Sequence, residues 1–143
     1  MTQLAAYRLN KGVQLLGTDG WNAPDLVTRG GALLEGAIFI DSFFANAASP
    51  TVQTFVEQFR QRYQESPDLL AAQAYDTFLM CAQVLQAGAQ TPRQLRDGLL
   101  RIRDFDVVSG RTSMLDTGDA DKEPYVLTVQ GGRIVQLEGA TQR

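Results

Sequence analysis

The chain has 143 residues, 44% hydrophobic and 20% charged, with a net charge of -3. That is the size of one domain with enough apolar material for a core, which excludes a disordered segment. The acidic balance excludes a nucleic-acid surface, which needs a basic patch to displace counterions, and the lack of any histidine removes the commonest general base and metal ligand together. Arg93, Arg96, Arg101 and Arg103 do cluster, but Asp97, Asp104 and Asp106 lie among them, so a solvated helix face is expected. The single Cys81 cannot form an intrachain disulfide and reads as an inert core thiol. No apolar run approaches the ~20 residues of a membrane span, because Glu35 interrupts the best candidate, Gly31 to Ile40. Met1-Thr2-Gln3 enters an amphipathic segment directly, so the leader of an exported protein is expected to lie outside this chain.

In chain order, Thr2 to Lys11 carries Leu4, Ala5 and Arg8 at helical spacing, with Gly12 placed to end the helix in a left-handed conformation. The apolar run Val13–Leu16 follows and empties into Gly17-Thr18-Asp19-Gly20-Trp21. This reads as a buried parallel strand whose carboxyl end opens into a loop, the rim at which open α/β sheets bind ligands. Asn22-Ala23-Pro24-Asp25 starts a short helix, with proline tolerated in its first turn, and Gly30-Gly31 ends it. Gly36 to Asp41 is a second short apolar run rich in strand formers. Ser42–Ala48 then reads as a linker with two exposed-looking phenylalanines, Phe43 and Phe44, which serve either as hinge contacts or in packing.

From Ser49 the period becomes helical. Ser49-Pro50 is a start signal, and Val52, Phe55, Val56, Phe59 and Tyr63 share one face. Ser66-Pro67-Asp68 repeats the signal; Leu70, Ala71, Ala74, Tyr75, Phe78, Ala82 and Leu85 are expected to line the next helix, which Gly88 ends. Tyr75 is expected to pack, and Asp76 either to face solvent or to cap a neighbouring loop. Thr91-Pro92 opens a third helix with Leu95, Leu99 and Ile102 inward. The last forty residues return to strand character. Ser109 to Asp116 alternates, Thr117 to Asp121 is turn-rich, and Tyr125–Val129 with Arg133–Leu137 flanks a Gln130-Gly131-Gly132 hairpin signal before a frayed tail, Glu138 to Arg143.

The order of these pieces resembles a known family. A strand leads to Gly-Thr-Asp-Gly-Trp and a short helix ending in Gly-Gly, and Leu-Glu-Gly-Ala-Ile-Phe follows. A helix with Phe-Val-Glu-Gln-Phe-Arg-Gln-Arg-Tyr leads to Ser-Pro-Asp, Ala-Ala-Gln-Ala-Tyr-Asp and Phe-Asp-Val-Val-Ser-Gly-Arg-Thr. Over nearly its whole length the chain is similar to the C-terminal portion of the type I periplasmic binding proteins of the branched-chain amino-acid (Leu/Ile/Val) family. The fold so implied is α/β, made of Rossmann-like three-layer pieces of an incomplete two-lobed fold, with three consecutive helices and a C-terminal β-hairpin. Residues 1–41 would form a strand and helix piece of the C-terminal lobe and 42–48 a hinge. Residues 49–104 would be helices packing on the other lobe, and 105–143 a β-rich return segment.

The resemblance places Asp19 where the family's carboxylate receives the ligand's ammonium; without it, an Asp before glycine equally suits a tight turn. Thr18, Gly20 and Trp21 become loop companions, with Gly20 allowing close backbone approach and Trp21 forming either a ligand wall or a cover for the sheet edge. Leu70 stands where relatives carry an aromatic that touches the ligand's side chain, and is otherwise a core residue. The implied activity is an extracytoplasmic solute-binding protein, with no catalytic residues, cofactor or metal. It would bind an amino acid or similar small polar solute for an ABC permease that the full-length protein serves. The location would be periplasmic, or extracytoplasmic with a lipid anchor on the full-length protein, and the fragment would self-associate as a homodimer through apolar surface. The alternative is a regulatory lipoprotein domain of the penicillin-binding-protein activator type, which contacts a cell-wall synthase. Neither reading involves nucleic acid.

Overall fold

The computed structural model describes residues 12–23 and 25–137. The helix expected over Thr2–Lys11, Pro24 and the tail Glu138–Arg143 lie outside the described residues. The first elements are β1 (Leu16–Gly17), a 3-10 turn (Asp19–Trp21), α1 (Leu26–Gly30), a second 3-10 turn (Gly31–Leu34) and β2 (Ile38–Asp41). Three helices follow, α2 (Pro50–Tyr63), α3 (Leu69–Gln86) and α4 (Pro92–Leu99). The strands β3 (Phe105–Val107), β4 (Gly110–Met114), β5 (Ala120–Lys122), β6 (Tyr125–Gln130) and β7 (Arg133–Gln136) complete the order. The chain divides into two units. One runs up to Asp41 and resumes at Pro124; the other is Ser42–Glu123.

The first unit is organised by a mixed sheet of order β1-β2-β6-β7. β1 runs parallel to β2, with Leu16 opposite Ile38 and Gly17 opposite Phe39, as the sequence predicts for a strand feeding a rim loop. It is nevertheless shorter and wetter than expected: Val13 is 55% exposed and Leu16 71%. β1 is an edge strand paired only with β2 among the described residues, so apolar residues that predict burial on both faces meet solvent here. The core of this unit is Leu34, Ala37, Phe39, Leu127 and Val129. A side chain as fully dehydrated as Phe39 or Leu127 contributes roughly 1.5–3 kcal/mol. The hairpin closes as Gln130 opposite Arg133, leaving Gly131 (φ 57°) and Gly132 (φ 70°) as a two-residue turn that only glycine enters without strain. Glu35 receives the amide of Gly131 at 2.7 Å and that of Gly132 at 3.4 Å.

The second unit begins with residues the sequence leaves open. Phe43 and Phe44 are buried, not exposed, and Phe43 meets Phe55 of α2 edge-on at 6.0 Å between ring centroids. Phe55 in turn contacts Phe59 and, at 4.9 Å, Tyr75 of α3. These rings explain why a stretch that reads as a linker is held down: aromatic pairs gain beyond their buried area. α2 starts at Pro50, but Ser49 makes no side-chain capping bond. α3 is capped by Asp68, whose Oδ1 accepts from the Ala71 amide at 2.8 Å. α4 has the full reciprocal box, Thr91 Oγ1 accepting from the Gln94 amide and Gln94 Oε1 accepting from that of Thr91.

The burial of α3 reverses the sequence expectation. Its inward face is Ala72, Asp76, Met80 and Val84, spaced by four, whereas Leu70, Phe78 and Leu85 are 71%, 69% and 52% exposed. Apolar residues occupy more than one face of this helix, so hydrophobicity alone selects the richer stripe. The occupied stripe is decided by Asp76, whose carboxylate serves a turn of the neighbouring sheet. Met80 and Val84 join Ile102 and Val107 in a core that Leu95, Leu99, Phe105 and Met114 complete. Gly98 permits the close approach of α4 to α3, since a β-carbon there would lie 2.2 Å from Val84 Cγ1. β3, β4 and β5 form an antiparallel sheet in which Val107 faces Gly110, making Val108-Ser109 a two-residue turn. The segment Thr117–Asp121, expected as loop, gives its last two residues to β5.

Candidate functional site

The rim loop leaves β1 at Gly17 and at once winds into a single 3-10 turn. The Trp21 amide donates to the Thr18 carbonyl at 2.9 Å, and that of Asn22 to the Asp19 carbonyl at 3.1 Å. Thr18 itself is extended. Thr18, Asp19 and Gly20 are exposed. The Asp19 carboxylate accepts one local hydrogen bond, from the Gly20 amide at 3.0 Å, and it has lone pairs to offer a further donor. A β-carbon at Gly20 would meet nothing within 4 Å, so the backbone there lies open to approach.

Trp21 is placed differently from its loop companions. Its ring folds back onto the sheet, where a β-carbon at Gly17 would fall 2.3 Å from the indole. Phe39 lies beside it at 6.2 Å between centroids. The indole therefore covers the end of the β1–β2 pair, one of the two roles open to it from sequence. Beyond it, Asn22 Nδ2 donates to Asp41 Oδ2 at 2.6 Å, and Asp41 is buried at the end of β2. Sequence reasoning passed over both residues, reading Asn22 only as a helix-start residue; their types carry no signal until the topology brings them together.

The four loop residues thus come from one continuous stretch of the first unit. Leu70 belongs to the second unit, in the first turn of α3, with its side chain exposed. The second unit also carries an open groove of about 580 Å³ between the Ala45–Ala47 turn and α2, lined among others by Gln53, Glu57 and Arg60. None of the five residues singled out from the sequence lines it, and its charged walls are solvated helix side chains.

The most elaborate polar cluster is also in the second unit. Asp76, 1% exposed, accepts from the Val108 amide at 2.8 Å, the Ser109 amide at 2.9 Å and the Ser109 hydroxyl at 2.5 Å. Lys122 Nζ donates to that same hydroxyl and lies 3.7 Å from Asp76 Oδ2. A lysine touching a serine hydroxyl has the parts of a nucleophilic pair, but Ser109 is 0% exposed and its oxygen is taken by both neighbours. The cluster is structural. A buried turn has amides that must be paired, and Asp76 pairs them. Of the two sequence alternatives for Asp76, loop capping is the one realised. Among the described residues no group of three or more Cys, Asp or Glu side chains could hold a metal ion, and no helix is long and apolar enough to cross a membrane.

A family model described as periplasmic binding protein matches residues 1–133. Among solved structures, a leucine binding protein from Thermotoga maritima is 28% identical, with a TM-score of 0.76 over 95% of this chain and 39% of its own. The branched-chain amino acid transporter substrate binding protein LivJ from Streptococcus pneumoniae, in complex with isoleucine, is 26% identical, with a TM-score of 0.72 over 93% of this chain and 40% of its own. The chain therefore spans about two-fifths of the length of these relatives. No curated protein sequence matches it.

Proposed function

This chain belongs to the periplasmic binding protein family, and from that premise we propose that it supplies ligand contacts in an extracytoplasmic receptor delivering an amino acid to an ABC transporter. The observation that carries this reading is Asp19. It is an exposed carboxylate on the loop at the carboxyl end of a parallel strand, with only a local amide bonded to it among the hydrogen bonds described above. A fixed carboxylate at such a rim gives an α-ammonium a charge-assisted hydrogen bond. The branched-chain class is favoured because the similar structures include a leucine binding protein and an isoleucine complex. Those similar structures favour transport over the regulatory lipoprotein alternative. Thr18 and Gly20 flank the ammonium site and Trp21 supports the loop from behind, while Leu70 is an exposed aliphatic side chain of the second unit.

The partner of the full-length protein is an ABC permease, and the location is periplasmic or, with a lipid anchor on the full-length protein, extracytoplasmic. The fragment alone pairs with a second copy through the exposed stripe of Leu70, Phe78 and Leu85 on α3. Neither a catalytic step nor a cofactor enters this role. The test is thermal shift and calorimetric titration with leucine, isoleucine and valine, on this chain and on a longer polypeptide containing it. A binder gains stability by mass action. L-leucine is expected to raise the Tm, its deaminated analogue 4-methylpentanoate is not, and Asp19→Asn is expected to abolish the shift. A panel that leaves both polypeptides unmoved overturns the reading.

A further inference from the structure

The 3-10 turn that carries Asp19 and Trp21 hangs from an edge strand of only two residues. So little backbone pairing leaves the position of the turn to side chains. Among these are the indole on Gly17 and the side chain of Asn22. Its amide reaches across to Asp41, which is 2% exposed and ends β2, one residue before the chain enters the second unit. A buried carboxylate is tolerated only where donors meet it, and a donor fixed on it at 2.6 Å is fixed in turn.

We propose that Asn22 and Asp41 are positioning residues for the ligand loop. Their hydrogen bond holds the turn, and with it the Asp19 carboxylate and the Trp21 indole, against the carboxyl end of β2. The loop and the last residue before the crossing then move as one piece. The consequence for binding rests on the proposed ligand role of the loop. The tether itself is readable without a ligand, because the single tryptophan of the chain lies in the turn that Asn22 fixes.

The experiment uses the full chain and three variants, Asn22→Ala, Asn22→Asp and the exchanged pair Asn22→Asp with Asp41→Asn. Trp21 emission and its quenching by acrylamide report the turn, far-UV circular dichroism reports the fold, and L-leucine is the titrated probe. Asn22→Ala is expected to shift Trp21 emission to the red and to raise quenching while the dichroism holds. Asn22→Asp, which sets two carboxylates against each other, is expected to shift it further. The exchanged pair restores an amide–carboxylate bond with its polarity reversed and is expected to bring emission back toward wild type, which loss of packing alone would not do. Leucine affinity is expected to fall about tenfold in Asn22→Ala, the equivalent of one hydrogen bond of roughly 1.4 kcal/mol. If Asn22→Ala loses its dichroism, Asn22→Ser, which keeps a short polar group, carries the same comparison. Unchanged Trp21 emission and quenching in Asn22→Ala overturns the tether. A wild-type chain that ignores leucine passes the proposed function to the titration of the longer polypeptide and leaves the tether to the Trp21 readout.

Discussion

Replacing Asp76 with alanine removes the acceptor for two buried backbone amides and the Ser109 hydroxyl, and takes the counter-charge from Lys122. Each buried donor left without a partner costs about 1–3 kcal/mol. Breaking one member of a buried ion pair costs about 3–5 kcal/mol, and these overlapping losses are not summed. Asp76 is 1% exposed, so water cannot replace it as acceptor, and Lys122, at 14%, is only partly reached by solvent. The expected loss is therefore about 3–5 kcal/mol, a large part of the ~5–15 kcal/mol that holds a domain together. With a urea m-value of about 2 kcal/mol/M the midpoint falls by about 2 M. The assay is urea unfolding followed by dichroism at 222 nm, which the three helices of the second unit dominate. Asp76→Asn keeps one acceptor and is expected to lose about half as much. Lys122→Met leaves the carboxylate with its three donors and is expected to cost about 1–2 kcal/mol, and the double variant less than the sum of the singles, because each removal strands the other partner. A loss below about 1 kcal/mol in Asp76→Ala, or strict additivity with Lys122→Met, would refute the idea that this carboxylate holds the turn.

Three further outcomes are expected. Gly17→Ala drives a methyl group into the indole of Trp21, so Trp21 emission should shift and stability drop by about 1–3 kcal/mol; an unshifted spectrum contradicts the packing described. Phe78→Glu places a charge in the exposed stripe of α3, and sedimentation velocity should show less self-association than wild type with no loss of helix content. Burial raises the Tyr125 phenol above its ordinary pKa of 10.0, so the unfolded chain releases that proton first as pH climbs. Folding stability from this group is full below pH 10 and declines above it, and Tyr125→Phe should flatten that decline in melts taken across the alkaline range.

Much of the architecture is legible in the sequence wherever one local signal acts alone. Thr91-Pro92 with Gln94 is a complete capping box, and Gly131-Gly132 between alternating runs can make little else than a tight hairpin. The strand order is not legible, because β2 finds β6 across the whole second unit and no local pattern encodes that pairing. The inward face of α3 misleads for a related reason. Leu70, Phe78 and Leu85 outweigh Ala72 and Asp76 on any hydrophobic scale, but the buried turn at Val108-Ser109 needs a carboxylate more than it needs another leucine. At the candidate site, the Gly-x-x-Gly spacing marks a turn that carries an acid, and only the resemblance gives that acid a ligand role. The tether from Asn22 to Asp41 is invisible until the strand end and the turn share a surface.

The clamp that Glu35 places on the hairpin turn has a consequence for biogenesis. In sequence, its carboxylate and the two glycine amides it holds are separated by the entire Ser42–Glu123 segment, and so are the paired strands β2 and β6. A ribosome releases the contiguous unit whole while β2 still awaits its antiparallel neighbour β6. Nascent chains halted after β5 should thus protect α3 and α4 from protease while leaving β2 cleavable.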